Sequence, residues 1–137
     1  MSVKISGEFQ GGLSMKMSHQ LSGTTVLTDP PLDNGGQGLS FSPTDLVATA
    51  LGACMMSVMA IHAKKQQTSL EGMACHVEKH MSADLPRRII RLDVLIMLPR
   101  HLSMTQRQEL ETIANNCPVI HSLHPGVDIK KNYSYEV

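Results

Sequence analysis

Three cysteines, Cys54, Cys75 and Cys117, are the residues of this 137-residue chain with the widest scope for chemistry. Cys54 lies near the middle of "SFSPTDLVATALGACMMSVMAIHA", Ser40 to Ala63, a run that is otherwise almost entirely apolar. Cys117 stands in "NNCPVIHSLHP", where Pro118 suits the first position of a short helix and Cys117 its cap. A thiol there meets unpaired N–H groups and the positive end of the helix dipole, which favours the thiolate. Cys54 is about ten residues into its own helix, beyond the first turn where the dipole acts. If it reacts, another group must activate it. Cys75 alternates with Met73 and Val77 and reads as a bystander.

An odd number of cysteines with no short spacing does not fit a secreted disulfide framework. In a reducing compartment such residues are core filler, metal ligands or redox groups. Taken singly, each cysteine fits a buried structural role. A zinc site could be drawn from Cys54, Cys117, His121 and His124, but no C-x-x-C or H-x-x-x-H element supports it. No metal and no cofactor are expected.

The elements that must position these thiols follow from periodicity. Residues 1–28 read as an antiparallel meander, with Gly11-Gly12 and Ser22-Gly23 at the turns. Two prolines and three glycines make residues 29–41 an irregular loop of a length often tied to function. "SPTD" then opens a helix over 42–65: Ser42 caps, Pro43 takes the first helical position, and Asp45 completes a capping box. From Leu46 to Ile61 only Thr49 and Ser57 are polar, so the helix is expected to be covered on every face. One sheet covers one side, and a second subunit, meeting Met55, Met56 and Met59, is expected on the other.

Residues 70–98 read as a hairpin with Ile90, Leu92, Val94, Ile96 and Leu98 on one face. Residues 103–123 are helical, with Ser103 as a cap and Leu110, Ile113 and Ala114 inward, and 127–137 alternate as a last strand. The order βββ, α, ββ, α, β predicts a single α+β domain over 1–137, an antiparallel sheet with a buried central helix and a second helix on one face.

Composition narrows the function. A net charge of zero, two Phe, two Tyr and no Trp leave neither a basic track for phosphates nor stacking platforms for bases, so nucleic acid is not an expected partner. The amino terminus lacks the apolar stretch of a signal peptide and no run reaches a membrane span, so a cytoplasmic protein without membrane contact is expected.

Together, "SPTDLVATALGAC" and the later "CPVIHSLHP" resemble the OsmC-like family of osmotically inducible and organic hydroperoxide resistance proteins, from the glycine loop to the carboxyl terminus. The resemblance implies an intertwined homodimer with the cysteine-bearing helix at its centre. It also implies a thiol-dependent peroxidase that reduces organic hydroperoxides, with Cys54 attacking, Cys117 resolving and an external dithiol restoring the pair. In well-characterised branches a glutamate ten residues before the first cysteine pairs with an arginine from the early strands. Here that position is Thr44, and no arginine precedes Arg87. Thr44, Asp45, Lys16, His19 and His121 are the auxiliary candidates left. An alternative of another class is a small apolar-molecule binding protein on the same dimeric scaffold with weak or no peroxidase activity. A third has both cysteines as inert filler.

Overall fold

In the computed structural model, which describes residues 1–137, three strands come first: β1 (Ile5–Phe9), β2 (Met15–His19) and β3 (Thr25–Thr28). A 3-10 turn follows at Leu32–Asn34, then α1 (Pro43–Lys65), β4 (Ala74–Met81), β5 (Ile89–Met97), α2 (Met104–Ala114), α3 (Pro118–Ser122) and β6 (Asp128–Ser134). The α+β order read from the sequence holds, with α3 resolved as a separate short helix. Two compact units divide the chain, Met1–Val47 and Ala48–Val137.

The first unit is an antiparallel meander in the order β1-β2-β3. Gly11 and Gly12 turn β1 into β2 at φ 89° and 58°, a left-handed conformation that a side chain would strain. The loop that follows is tied from within. Asp29, buried at 5% exposure, accepts the N–H groups of Gln37 (3.0 Å) and Leu39 (3.1 Å) on Oδ2 and donates its own N–H to Phe41 (3.1 Å). Composition marked this segment as irregular; it gave no sign that one carboxylate would organise it.

At the start of α1 the expected capping box is present. Ser42 Oγ accepts the Asp45 N–H at 3.1 Å, and Asp45 Oδ2 accepts the Ser42 N–H at 2.8 Å. Further along, Ala48, Leu51, Gly52, Met55, Met59 and Ala63 form one buried stripe at helical spacing. Met55 and Met59 have no exposed surface, so they belong to the chain's own core rather than to a subunit contact. The face left open carries small residues, Ala50, Ala53, Ser57 and Ala60. α1 is also long and apolar enough to cross a membrane, contrary to the sequence expectation, but Leu51, Met55 and Met59 are fully buried in the chain's own core.

The second unit holds the sheet β4-β5-β6. β4 and β5 form the expected antiparallel hairpin, Ala74 opposite Met97 and Val77 opposite Val94. β6 departs from the antiparallel expectation: it runs parallel to β5, from Arg91 opposite Asp128 to Met97 opposite Ser134. The cause is the connection. A tight turn can only reverse a chain, whereas α2 and α3 carry it back across the sheet, the crossover a parallel pair requires. Strand periodicity reports which face is buried and is silent on direction.

β5 is central, and its Leu92, Val94 and Ile96 are at 0–1% exposure. They pack with Leu51, Met55 and Met59 of α1, Leu110 and Ala114 of α2, and Cys117. Each of the Leu, Val, Ile and Met side chains contributes roughly 1.5–3 kcal/mol by leaving water. Ser103 caps α2 through a full capping box with Gln106.

Candidate active site

Cys54 sits on the flank of the buried stripe of α1, partly exposed and packed against the core cluster. Cys117 is reached by a different route. α2 ends at Asn115, the chain turns with the Cys117 N–H donating to the Ala114 carbonyl at 3.2 Å, and Pro118 starts α3. Cys117 caps α3 with extended backbone (φ −65°, ψ 151°), as the sequence suggested. Its side chain has no exposed surface and lies near enough to Cys54 for that thiol to raise its pKa. Two thiols distant in sequence thus meet at the edge of one apolar cluster; both are free rather than bridged.

The electrostatics of Cys117 overturn one expectation. Burial pushes its thiol up, the N–H groups of Ile120 and Val119 pull it down, the adjoining Cys54 sulfur adds to the rise, and the net direction is upward. Those N–H groups and the small dipole of a five-residue helix do not offset the desolvation. Cys117 therefore keeps its proton at neutral pH and presents an S–H group to Cys54.

Of the auxiliary candidates, His121 is exposed on α3 and is not among the groups that act on the Cys117 thiol. Asp45 is engaged in the capping box, and Thr44 Oγ1 lies 3.2 Å from Ser42 Oγ beside it. In the first unit, His19 Nδ1 accepts the Ser22 N–H at 3.2 Å and lies 2.6 Å from Ser22 Oγ, bracing the β2–β3 turn. Lys16 is partly exposed on β2 and stands opposite Glu8 of β1.

Cys75 packs onto Gly52: a Cβ there would lie 3.1 Å from its sulfur and 2.9 Å from Val77 Cγ2. Burial raises its pKa. A different set of potential metal ligands, Glu78, His80 and Asp93, gathers on β4 and β5. His80 Nε2 is 2.9 Å from Asp93 Oδ2 and 3.8 Å from Glu78 Oε1. Arg91 already fills the role of cation there, with Nη2 3.1 Å from His80 Nε2 and Nε 3.1 Å from Asp93 Oδ1.

A polar ladder beside Cys117 escaped the sequence reading. Tyr133 donates to Asn115 Oδ1 at 2.6 Å, Tyr135 donates to Glu111 Oε1 at 3.0 Å, and the Arg107 guanidinium lies 4.2 Å from the Tyr135 ring centroid. Arg107, Glu111 and Asn115 are spaced i, i+4, i+8 on α2, and the chain's two tyrosines are two apart on one strand face. That double spacing was the available signal.

The model of the family described as "OsmC-like protein" matches residues 35–132. Among solved structures, a Psychrobacter arcticus 273-4 protein described as an osmotic stress induced and detoxification response protein is 34% identical, covering 97% of this chain and 95% of its own, at a TM-score of 0.87. An organic hydroperoxide resistance protein OsmC from Legionella pneumophila is 20% identical at 0.78, covering 98% and 97%, and an OsmC like protein from Mycoplasma pneumoniae is 14% identical at 0.82, covering 100% and 99%. The last two share the fold. No curated protein matches the chain.

Proposed function

The chain belongs to the OsmC-like protein family, and from that premise we propose that it is a thiol-dependent peroxidase reducing organic hydroperoxides through Cys54 and Cys117. The observation that supports this reading is that Cys54 and Cys117 pack into the same apolar cluster, near enough for Cys54 to raise the Cys117 thiol's pKa.

The chemistry balances with these two groups and an external dithiol. The Cys54 thiolate attacks the O–O bond of the hydroperoxide; its sulfur takes one oxygen as a sulfenic acid, and the alkoxide leaves as an alcohol on gaining a proton. Cys117, protonated and close to Cys54, supplies that proton. Its sulfur, now a thiolate, attacks the sulfenic sulfur; the departing hydroxide takes a proton from solvent to become water, and a disulfide forms. A dithiol reduces that disulfide by exchange. Apolar neighbours suit an alkyl hydroperoxide, and the Cys117 S–H supports the Cys54 sulfur in place of the arginine this sequence lacks.

The working unit in this proposal is a cytoplasmic homodimer. The open face of α1, lined by Ala50, Ala53, Ser57 and Ala60, is the surface a second helix could approach closely. Steady-state peroxide consumption with a dithiol reductant tests the activity: Cys54→Ser should abolish it, and undiminished turnover would refute the assignment.

A further inference from the structure

We propose that Tyr133 is a positioning residue for the resolving thiol: its hydrogen bond to Asn115 fixes the corner that presents Cys117 to Cys54. The role in catalysis rests on the peroxidase reading above; the geometry does not.

Asn115 is the last residue with a foot in α2, its N–H donating to Glu111 at 2.9 Å, and Cys117 follows two residues later. Between them the chain changes direction, held by the Asn116 N–H on Ile113 (3.1 Å), the Asn116 side chain on Thr112 (2.9 Å) and the Cys117 N–H on Ala114 (3.2 Å). All three bonds run back into α2 and move with it. Tyr133 supplies a different anchor, from β6, which is paired along its length to the central strand β5. The second rung, Tyr135 on Glu111 with Arg107 against its ring, sets the rotation of the same helix. The Arg107 guanidinium is itself held by the carbonyls of Leu102 and Arg100, both at 3.0 Å.

A disulfide needs two sulfurs at about 2 Å with a narrow range of torsions, so closure depends on where the Cys117 corner sits. Misplacement of a reacting group on the order of 1 Å can cost a hundredfold in rate. Tyr133 is near enough to the thiol for a charge on Cys117 to raise its pKa, along with burial and the Glu111 carboxylate. The phenol thus keeps the proton it donates to Asn115 across the neutral range.

The test follows disulfide formation in the full-length protein by quenched-flow mass analysis, with an organic hydroperoxide and separately with diamide, which removes two electrons and two protons from a thiol pair without any peroxide. Tyr133→Phe should form the Cys54–Cys117 disulfide about tenfold more slowly with either oxidant, while Cys54 sulfenic acid appears at the wild-type rate. Asn115→Leu should match it, the double variant should be no worse, and Asn115→Asp, which keeps an acceptor oxygen, should recover most of the rate. Wild-type disulfide rates in Tyr133→Phe and Asn115→Leu would overturn the inference. If Tyr133→Phe fails to fold, the contrast between Asn115→Leu and Asn115→Asp decides. A wild type that closes with diamide but consumes no hydroperoxide would defeat the peroxidase reading alone, and the diamide rates would still judge the positioning role.

Discussion

Cys117, without exposed surface at the cap of α3, shares one apolar cluster with Cys54 of α1, which lies near enough to raise its pKa. A protonated thiol set against a second sulfur is the arrangement from which a sulfenic acid is trapped as soon as it forms.

Removing the trap should expose the intermediate. In Cys117→Ser the Cys54 sulfenic acid should persist long enough to be captured by dimedone and should move on to sulfinic acid under excess hydroperoxide, while wild type shows neither. Mass spectrometry of the Cys54 peptide checks this. Equal dimedone labelling in both proteins would mean that Cys117 does not resolve.

Tyr133 gives the protein an alkaline limit. Burial and the Glu111 and Cys117 charges push the phenol from its ordinary value near 10 up to about 12, and Tyr135 is raised as well, chiefly by burial and its bond to Glu111. The unfolded chain releases these protons first, so the stability they support is complete below pH 10 and is lost as pH rises through the folded values. Denaturant melts between pH 9 and pH 12 should show a fall that is shallower in Tyr133→Phe; an identical slope would contradict the assignment.

At Gly52, α1 packs tightly against Val77 and Cys75 of β4. Alanine would gain about 1 kcal/mol of helix propensity, but its Cβ would stand 2.9 Å from Val77 Cγ2 and 3.1 Å from Cys75 Sγ. Val77 is β-branched and stiff at χ1, so overpacking of about 1–3 kcal/mol should win. Urea denaturation should find Gly52→Ala destabilised, and the loss should shrink or reverse in a Val77→Ala background.

The small-residue face of α1 should be the subunit contact. Ala53→Arg should leave the fold intact by circular dichroism while sedimentation equilibrium shifts from about twice the 15.0 kDa chain mass to a single chain. A wild type that sediments as one chain would remove the dimer from the account.

Much of this was legible in the residues because the signals were local. "SPTD" announced the α1 cap, alternation over 89–97 marked the buried side of β5, and Pro118 placed Cys117 at a helix start. What escaped was set by long-range geometry. Met55 and Met59 look like any methionines of an apolar helix until the sheet shows which stripe it covers, and β6 could be assigned as a strand but not given a direction. From sequence Cys117 reads as favouring the thiolate, because the helix start is visible there and the depth of its burial is not. Asp29 and the Tyr133–Asn115 bond join residues whose pairing is created only by the fold.

The central claim is that Cys54 and Cys117 join when the protein meets a hydroperoxide. Intact-mass analysis of the fully reduced protein after one equivalent of an organic hydroperoxide should show the loss of two hydrogen atoms, with peptide mapping placing the bridge between these two residues and leaving Cys75 free. Oxidised protein carrying added oxygen on Cys54 and no bridge to Cys117, or no reaction at all, would contradict it.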